Sequence, residues 1–297
     1  MQVDLGHLIK SKTSLTDGHI QYILYQMLLA LHYLHSGNVI HRDIKPSNIL
    51  IDEDCDIQLC DFGFARNFEM NVEEKLTEYV VTRYYRAPEI MLASREYGKE
   101  VDIWSLGCTI AELATGKVLF PGKNYVQQIK LIFQSLGTPE DLSFITNPAA
   151  KKFVESLTAK PSASLKNKVD YPNADFMDLL SKMLEIDPRK RITAKEALAH
   201  PYFKDLGDLS HESEFKGVAD FKFEKDPNVK IEDIQEEIIG EINYSKMRNK
   251  QKPLDPAKII ESISGPSKTD SKLAKVDEIM EKGTEGKVTK LEPCFIN

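Results

Sequence analysis

A mainly α-helical α+β fold, with its strands confined to one short β-hairpin, is what this sequence predicts. Three observations predict it. Apolar residues recur at helical spacing in several stretches of the first 200 positions, two short apolar runs bracket an acidic turn, and segments bearing Gly and Pro join the helical stretches.

Taken in order, the first helix is expected between Thr16 and Gly37, where Ile20, Ile23, Leu24, Met27, Leu28, Leu31 and Leu34 share one face. Thr16 is its N-cap, Gly37 its C′ residue, and its stripe that of a core pillar. The runs Ile49 to Ile51 and Ile57 to Leu59, parted by Asp52-Glu53-Asp54, form the hairpin. Glu69 to Glu78 is polar and without period, as a mobile loop is. Further helices are expected over Val101–Ala114, Tyr125–Leu136, Phe176–Leu184 and Ala194–Ala199, joined by segments holding Gly107, Gly116, Gly122, Pro139, Pro148, Pro161 and Pro172. Ile231, Ile234, Ile238, Ile239 and Ile242 make a stripe on an acidic background, the pattern of a peripheral helix docked on a larger body. Beyond Lys250 the composition is that of a disordered charged tail.

The 297 residues suffice for a sizeable core, and 41% hydrophobic with 29% charged residues is ordinary for a globular protein. A formal net charge of −7 argues against a nucleic-acid partner, whose phosphates need clustered Lys and Arg. Cys55, Cys60, Cys108 and Cys294 lack metal-ligand spacing, which points to a reducing cytoplasmic or nuclear setting. The stretch from Ile20 to Leu34 is too short and polar for a membrane span, the N-terminus lacks a signal-peptide layout, and no membrane contact is expected. Cys294-Phe295-Ile296-Asn297 has the C-a-a-X form, but its terminal Asn is atypical and the reading without lipidation is preferred.

The chemistry lies in His41-Arg42-Asp43-Ile44-Lys45-Pro46-Ser47-Asn48, which sets an acid, a cation and an amide within one loop. Asp43 can accept a hydroxyl proton, Lys45 can reach a phosphate as a point charge, and Asn48 and Asp61 are hard oxygen ligands suited to Mg²⁺. Asp61-Phe62-Gly63 follows Asn48 across the hairpin, and Ala87-Pro88-Glu89 closes the series. An isolated tripeptide of this kind carries little information. The three in this order carry much more.

On these motifs the chain resembles the eukaryotic protein kinases. From Asp61 to Glu89 it resembles the mitogen-activated protein kinases, because Thr77-Glu78-Tyr79 before VVTRYYRAPE is similar to the activation lip of their extracellular-signal-regulated, TEY-type subfamily. The resemblance implies a protein-kinase-like fold, here its mainly helical large C-terminal lobe, and a Ser/Thr kinase using ATP and Mg²⁺ on Ser/Thr-Pro sites. It makes Asp43, Lys45 and Thr82 catalytic; Met1, Asp4, Lys45, Ser47, Asn48, Leu50 and Asp61 ATP-binding; and Asn48 and Asp61 metal ligands. Thr77 and Tyr79 become the phosphorylation sites of an upstream dual-specificity kinase kinase. Arg42 and Arg66 would receive the phosphothreonine, and Arg83 and Arg86 the phosphotyrosine. The resemblance also pairs Glu89 with Arg191 and sets Asp102 to brace the catalytic loop.

The resemblance divides the chain into a large lobe (1–203, with an insert at about 134–170), a C-terminal extension (204–249) and a tail (250–297). In the extension Asp208 and Glu212 match an acidic patch that docks basic motifs of phosphatases or scaffolds, though His211 stands where a second Asp is usual. Met1-Gln2-Val3-Asp4-Leu5 is similar to the family's hinge, with Asp4 as its ribose-contacting acid. Nothing matches the Gly-rich loop, VAIK-type lysine or partner glutamate of a small lobe, so the expectation is a chain that lacks this lobe. The alternative that follows is a catalytically inactive docking or scaffold module of the same family.

Overall fold

The structure, a computed structural model, describes residues 3–67, 83–92, 97–157, 165–206, 214–217, 219 and 228–248. Two units compose it, Met1–Asp220 with Cys294–Asn297, and Phe221–Pro293.

In the first unit, β1 (Val3–Asp4) runs directly into α1 (Leu5–Lys10), a helix the sequence pattern did not disclose. Asp4 caps it by accepting the His7 N–H at 2.9 Å. The core pillar forms over Asp17–Ser36 (α2), where Thr16 and His19 make a reciprocal capping box and Ile20, Ile23, Leu24, Met27, Leu28 and Leu31 are buried. Its C-terminal end departs from expectation. Gly37 has φ −85°, and the left-handed residue is Asn38 at φ 58°, a conformation Asn tolerates. Gly37 is needed for space instead, since a Cβ there would lie 3.0 Å from the Phe215 ring.

Among the described residues there are five strands, all short. The hairpin is β3 (Ile49–Ile51) and β4 (Ile57–Leu59), paired Ile49 to Leu59 and Ile51 to Ile57, and β1 adds to it antiparallel with Asp4 opposite Leu50. A separate ladder joins β2 (Val39–Ile40) to β5 (Arg66–Asn67), with Ile40 opposite Arg66. Two-residue strands are too brief to show a period.

Helices make up most of the remainder. After α3 (Pro88–Met91), α4 (Glu100–Thr115) is buried from Val101 to Leu113, as befits a helix apolar on nearly every face. Gly116 ends it at φ 68°, the left-handed position glycine fills without strain. Then come α5 (Tyr125–Leu136), α6 (Pro148–Ser156), α7 (Leu165–Lys168), α8 (Ala174–Met183) and α9 (Ala194–Leu198). Two positions expected in joining segments are helical. Pro148 opens α6 behind the Asn147 cap, where its missing N–H costs nothing, and Gly107 lies inside α4. There a Cβ would stand 3.0 Å from Leu184, so Gly107 lets α4 approach α8 closely.

The buried pair Glu89 and Arg191 fastens this packing. Arg191 donates to both Glu89 oxygens at 2.6 and 3.0 Å, and to the carbonyls of Glu100 and Glu185 at 2.9 Å each. Its guanidinium lies over the Trp104 ring, 5.1 Å from the centroid.

In the second unit, α10 spans Ile231–Arg248. The stripe is helical as expected, but Ile231, Ile234, Ile238 and Ile242 are exposed and Ile239 is buried. Among the described residues no helix is long and apolar enough to cross a membrane.

Candidate active site

The loop 41–48 leaves β2 and is held from beneath by Asp102 on α4, whose side chain is wholly buried. Its Oδ2 accepts the His41 N–H at 2.9 Å and its Oδ1 the Arg42 N–H at 2.8 Å. His35 of α2 donates through Nε2 to the same Oδ2 at 3.0 Å. These bonds fix the loop where Arg42 takes φ 66°, a conformation uncommon for a side chain of its size. Asp102 thus braces the backbone of the loop 41–48, as expected. His35 was not foreseen, since a histidine in the last turn of a core helix carries no sign of a partner 67 residues away.

Asp43, buried at 5% exposure, is the centre of the loop. Lys45 donates from Nζ to Asp43 Oδ2 at 2.6 Å. The Asn48 side-chain amide donates both to that oxygen and to the Asp43 carbonyl, at 2.9 Å each. The residues that the sequence places at i, i+2 and i+5 therefore meet, because the short helical turn Pro46–Asn48 folds the amide back over the acid. With both amide hydrogens engaged, the Asn48 Oδ1 points away from Asp43. The Ser47 hydroxyl approaches it at 3.4 Å.

The hairpin then returns the chain to this loop. Cys60 donates its N–H to the Asn48 carbonyl at 3.0 Å and accepts from His41 Nε2 at 3.2 Å, so Asp61 begins beside Asn48. Asp61 is exposed with φ 63°, and its side chain accepts the Gly63 N–H at 3.4 Å. Phe62 packs edge-on against His41, 4.9 Å between centroids. Burial pushes the Cys60 thiol up, Asp61 and Asp4 adding to the effect and Lys45 opposing it. Asp4, Lys45 and Asp61 are thus all felt at one thiol. Leu50 pairs with Asp4 across β1 and β3, and Ser47 is exposed near Gly6. Burial raises the Asp4 carboxyl, but the bonds from the His7 N–H and ring outweigh it and leave the group below the usual carboxylate value.

Arg42 donates to the Phe64 carbonyl at 2.6 Å and to the Tyr97 hydroxyl at 2.8 Å, while Arg66, opposite Ile40 in the β2–β5 ladder, donates to the Ala65 carbonyl at 2.8 Å. Arg83 and Arg86 both face Tyr125 at the start of α5, with guanidinium carbons 5.9 and 5.7 Å from its ring centroid. Neither tyrosine was foreseen; an aromatic at the first position of a helix gives no sequence signal of an arginine pair 39 residues earlier. Met1, Thr77, Tyr79, Thr82, Asp208 and Glu212 lie outside the described residues, as does the polar loop from 69 to 78.

His41 gives the fold's stability a pH dependence. The Asp43 N–H donates to His41 Nδ1 at 3.3 Å, so the ring carries its proton on Nε2 towards Cys60. Burial pushes this imidazole below the usual histidine value, against opposing pulls from Asp102, the Cys60 carbonyl, Asp43 and Asp61. The unfolded chain, with an ordinary histidine near about 6.5, therefore binds a proton that the folded chain refuses. Stability from this group is complete above about pH 6.5 and is lost as pH falls from there through the lower folded value. We expect the denaturant midpoint to drop less between about pH 7.5 and 5.5 in His41→Gln than in the parent. Parallel pH profiles would remove His41 as the cause.

An acid buried within a helix-braced loop, with an amide folded onto it and a second carboxylate returned by a hairpin, offers the positioned charges on which phosphoryl transfer relies. Residues 1–203 match the protein kinase domain family, and the chain belongs to it. Within that family it is similar to mitogen-activated members. It is 44% identical over 249 residues to extracellular signal-regulated kinase 1 of Dictyostelium discoideum, which covers 83% of this chain and 46% of the relative. Mitogen-activated protein kinase 5 of Arabidopsis thaliana is 47% identical over 238 residues, covering 80% of this chain and 62% of the relative. Mitogen-activated protein kinase spm1 of Schizosaccharomyces pombe is 44% identical over 264 residues, covering 86% and 62%. The chain thus spans about half to three-fifths of the length of these relatives.

Proposed function

We propose that this chain carries the catalytic loop, metal ligands and activation segment of a serine/threonine protein kinase of the mitogen-activated type, directed to Ser/Thr-Pro sites. The observation that carries the reading is the buried Asp43 carboxylate held at once by Lys45, 2.6 Å away, and by the Asn48 amide, 2.9 Å away. Asp43 orients the substrate hydroxyl and takes its proton, while Lys45 balances the carboxylate and reaches the transferring phosphoryl group. Thr82 keeps the bridging role between the two that the family resemblance gives it. ATP with Mg²⁺, when bound, supplies the electrophilic γ-phosphorus and the positive charge that steadies its oxygens. The donor set suits such a complex. Asn48 Oδ1 is turned away from Asp43 by the amide's two bonds, and Asp61 is an exposed carboxylate one residue beyond Cys60, whose N–H bonds the Asn48 carbonyl. Two hard oxygen ligands are what a metal held chiefly by phosphates and water asks of a protein. Met1, Asp4, Ser47 and Leu50 would line the ribose and base end.

Phosphorylation of Thr77 and Tyr79 by a dual-specificity kinase kinase would switch the site, through Arg42 and Arg66 for the first phosphate and Arg83 and Arg86 for the second. Asp208 and Glu212 would dock basic motifs of phosphatases or scaffolds, in the cytoplasm and nucleus. The test is Mg²⁺-dependent phosphorylation of a Ser-Pro or Thr-Pro peptide by the 297-residue chain. Asp43→Ala should lower the rate by about 10²–10⁴-fold. Equal rates in parent and variant would exclude Asp43 as the base, and a parent without activity would favour the docking module.

A further inference from the structure

We infer that Tyr125 is a positioning residue that holds Arg83 and Arg86 together, in place of a phosphate, until a phosphotyrosine of this chain arrives. The inference rests on the reading of these arginines given above and assigns the part of the device that the motif does not contain. Arg83 donates from one guanidinium nitrogen to the Lys123 carbonyl at 3.2 Å, and Arg86 donates to the Tyr125 hydroxyl. Both guanidinium groups also lie within 6 Å of the Tyr125 ring centroid, at 5.9 and 5.7 Å. That is the range in which an aromatic face attracts a cation.

The choice of partner matters. Two cations gathered in one place repel each other, and a protein commonly relieves this with a carboxylate. Among the described residues no carboxylate pairs with Arg83 or Arg86. A ring face, a hydroxyl and a carbonyl orient the two groups without neutralising them. The positive charge is therefore kept for a dianion whose oxygens can accept from both forks. A carboxylate in the same place would have closed the site to phosphate. Arg42 follows the same rule, with the Phe64 carbonyl and the Tyr97 hydroxyl as its partners.

Tyr125 can take this role because of where it stands. It is the first residue of α5, behind the Asn124 cap, whose side chain accepts the Gln127 N–H at 2.8 Å. Gln128, one turn on, donates to the Tyr84 carbonyl at 3.3 Å and accepts the Gly122 N–H at 2.9 Å, tying the helix start to the arginine segment. The start of α5, from which the ring projects, is thus tied down on both sides by bonds that do not involve the two guanidinium groups.

The test uses the full chain with phosphotyrosine installed at position 79, so that no upstream enzyme is needed, and follows its phosphorus resonance against pH. A phosphate gripped by two guanidinium groups should titrate about one unit below a free phosphotyrosine, whose second step lies near about 6. Arg83→Ala and Arg86→Ala should each remove much of that depression. Tyr125→Leu, which lacks ring and hydroxyl, should remove most of it, and Tyr125→Phe, which keeps the ring, only part. Unfolding midpoints of the same samples show whether a variant has merely loosened the fold, and if Tyr125→Leu does not fold then Tyr125→Phe decides. A depression that both arginine variants abolish but neither Tyr125 variant moves would overturn this inference and leave the arginine reading standing. An undepressed titration in the parent would overturn both.

Discussion

Arg191→Ala is expected to destabilise the first unit by about 3–5 kcal/mol, because removing one member of a buried ion pair strands the other. The pair's side chains are 0% and 1% exposed, so water cannot take over the charge of Glu89. The carbonyls of Glu100 and Glu185 lose their donor in the same step, and the face of Trp104 loses its cation. Against a total of about 5–15 kcal/mol this leaves a marginal fold, and a Tm lower by about 10 °C for a domain of this size. Chemical denaturation of parent and variant measures it. A loss below about 1 kcal/mol would mean that the pair contributes no more than a surface salt bridge does. Replacing Glu89 and Arg191 together by Leu and Met should recover much of the loss, since the apolar pair leaves no charge unmatched.

Asp102→Ala should cost about 2–6 kcal/mol, the sum for two buried backbone donors left without an acceptor. Here the local consequence matters more than the total. The His41 and Arg42 N–H groups lose their acceptor, and the left-handed backbone at Arg42, φ 66°, loses the bonds that hold it. Amide exchange at these two residues should accelerate well beyond that of α2 and α8. Phosphoryl transfer should fall although Asp43, Lys45 and Asn48 are untouched. Asp102→Asn is the informative companion, since an amide accepts at one oxygen only and can satisfy one of the two backbone donors. Unchanged exchange at His41 and Arg42 in the alanine variant would show that the loop is held from elsewhere.

What the sequence disclosed follows from how local the determinants were. The pillar α2 and the helix α4 were legible because their burial is written as continuous apolar spacing, and the β3–β4 hairpin because its turn is acidic and its arms apolar. The small helix α1 was not, since its start depends on one aspartate bonding to His7, a relation that spacing does not express. Pro148 was read as punctuation, yet proline suits the first turn of a helix as well as a break. Along α10 the isoleucine stripe foretold the helix, but spacing says nothing of which residues are covered, and four of the five are exposed. The site divides in the same way. Asp43, Lys45 and Asn48 are neighbours in sequence and could be read as a group. Tyr97, Tyr125 and His35 act across 55, 39 and 67 residues, on groups that only the packing of α2, α4 and α5 brings near.

The amide of Asn48 gives both of its hydrogens to Asp43, one to the carbonyl and one to the carboxylate. The direction of its oxygen, the atom assigned to the metal, is therefore dictated by the acid assigned to the proton. The two functions share one hinge, so a variant at either position disturbs both. Kinetic losses at Asp43 and Asn48 should then overlap when the two are combined, and the sum of the single losses will overstate the double. No single substitution in this loop can apportion the rate between proton transfer and charge stabilisation, because the molecule itself does not keep them apart.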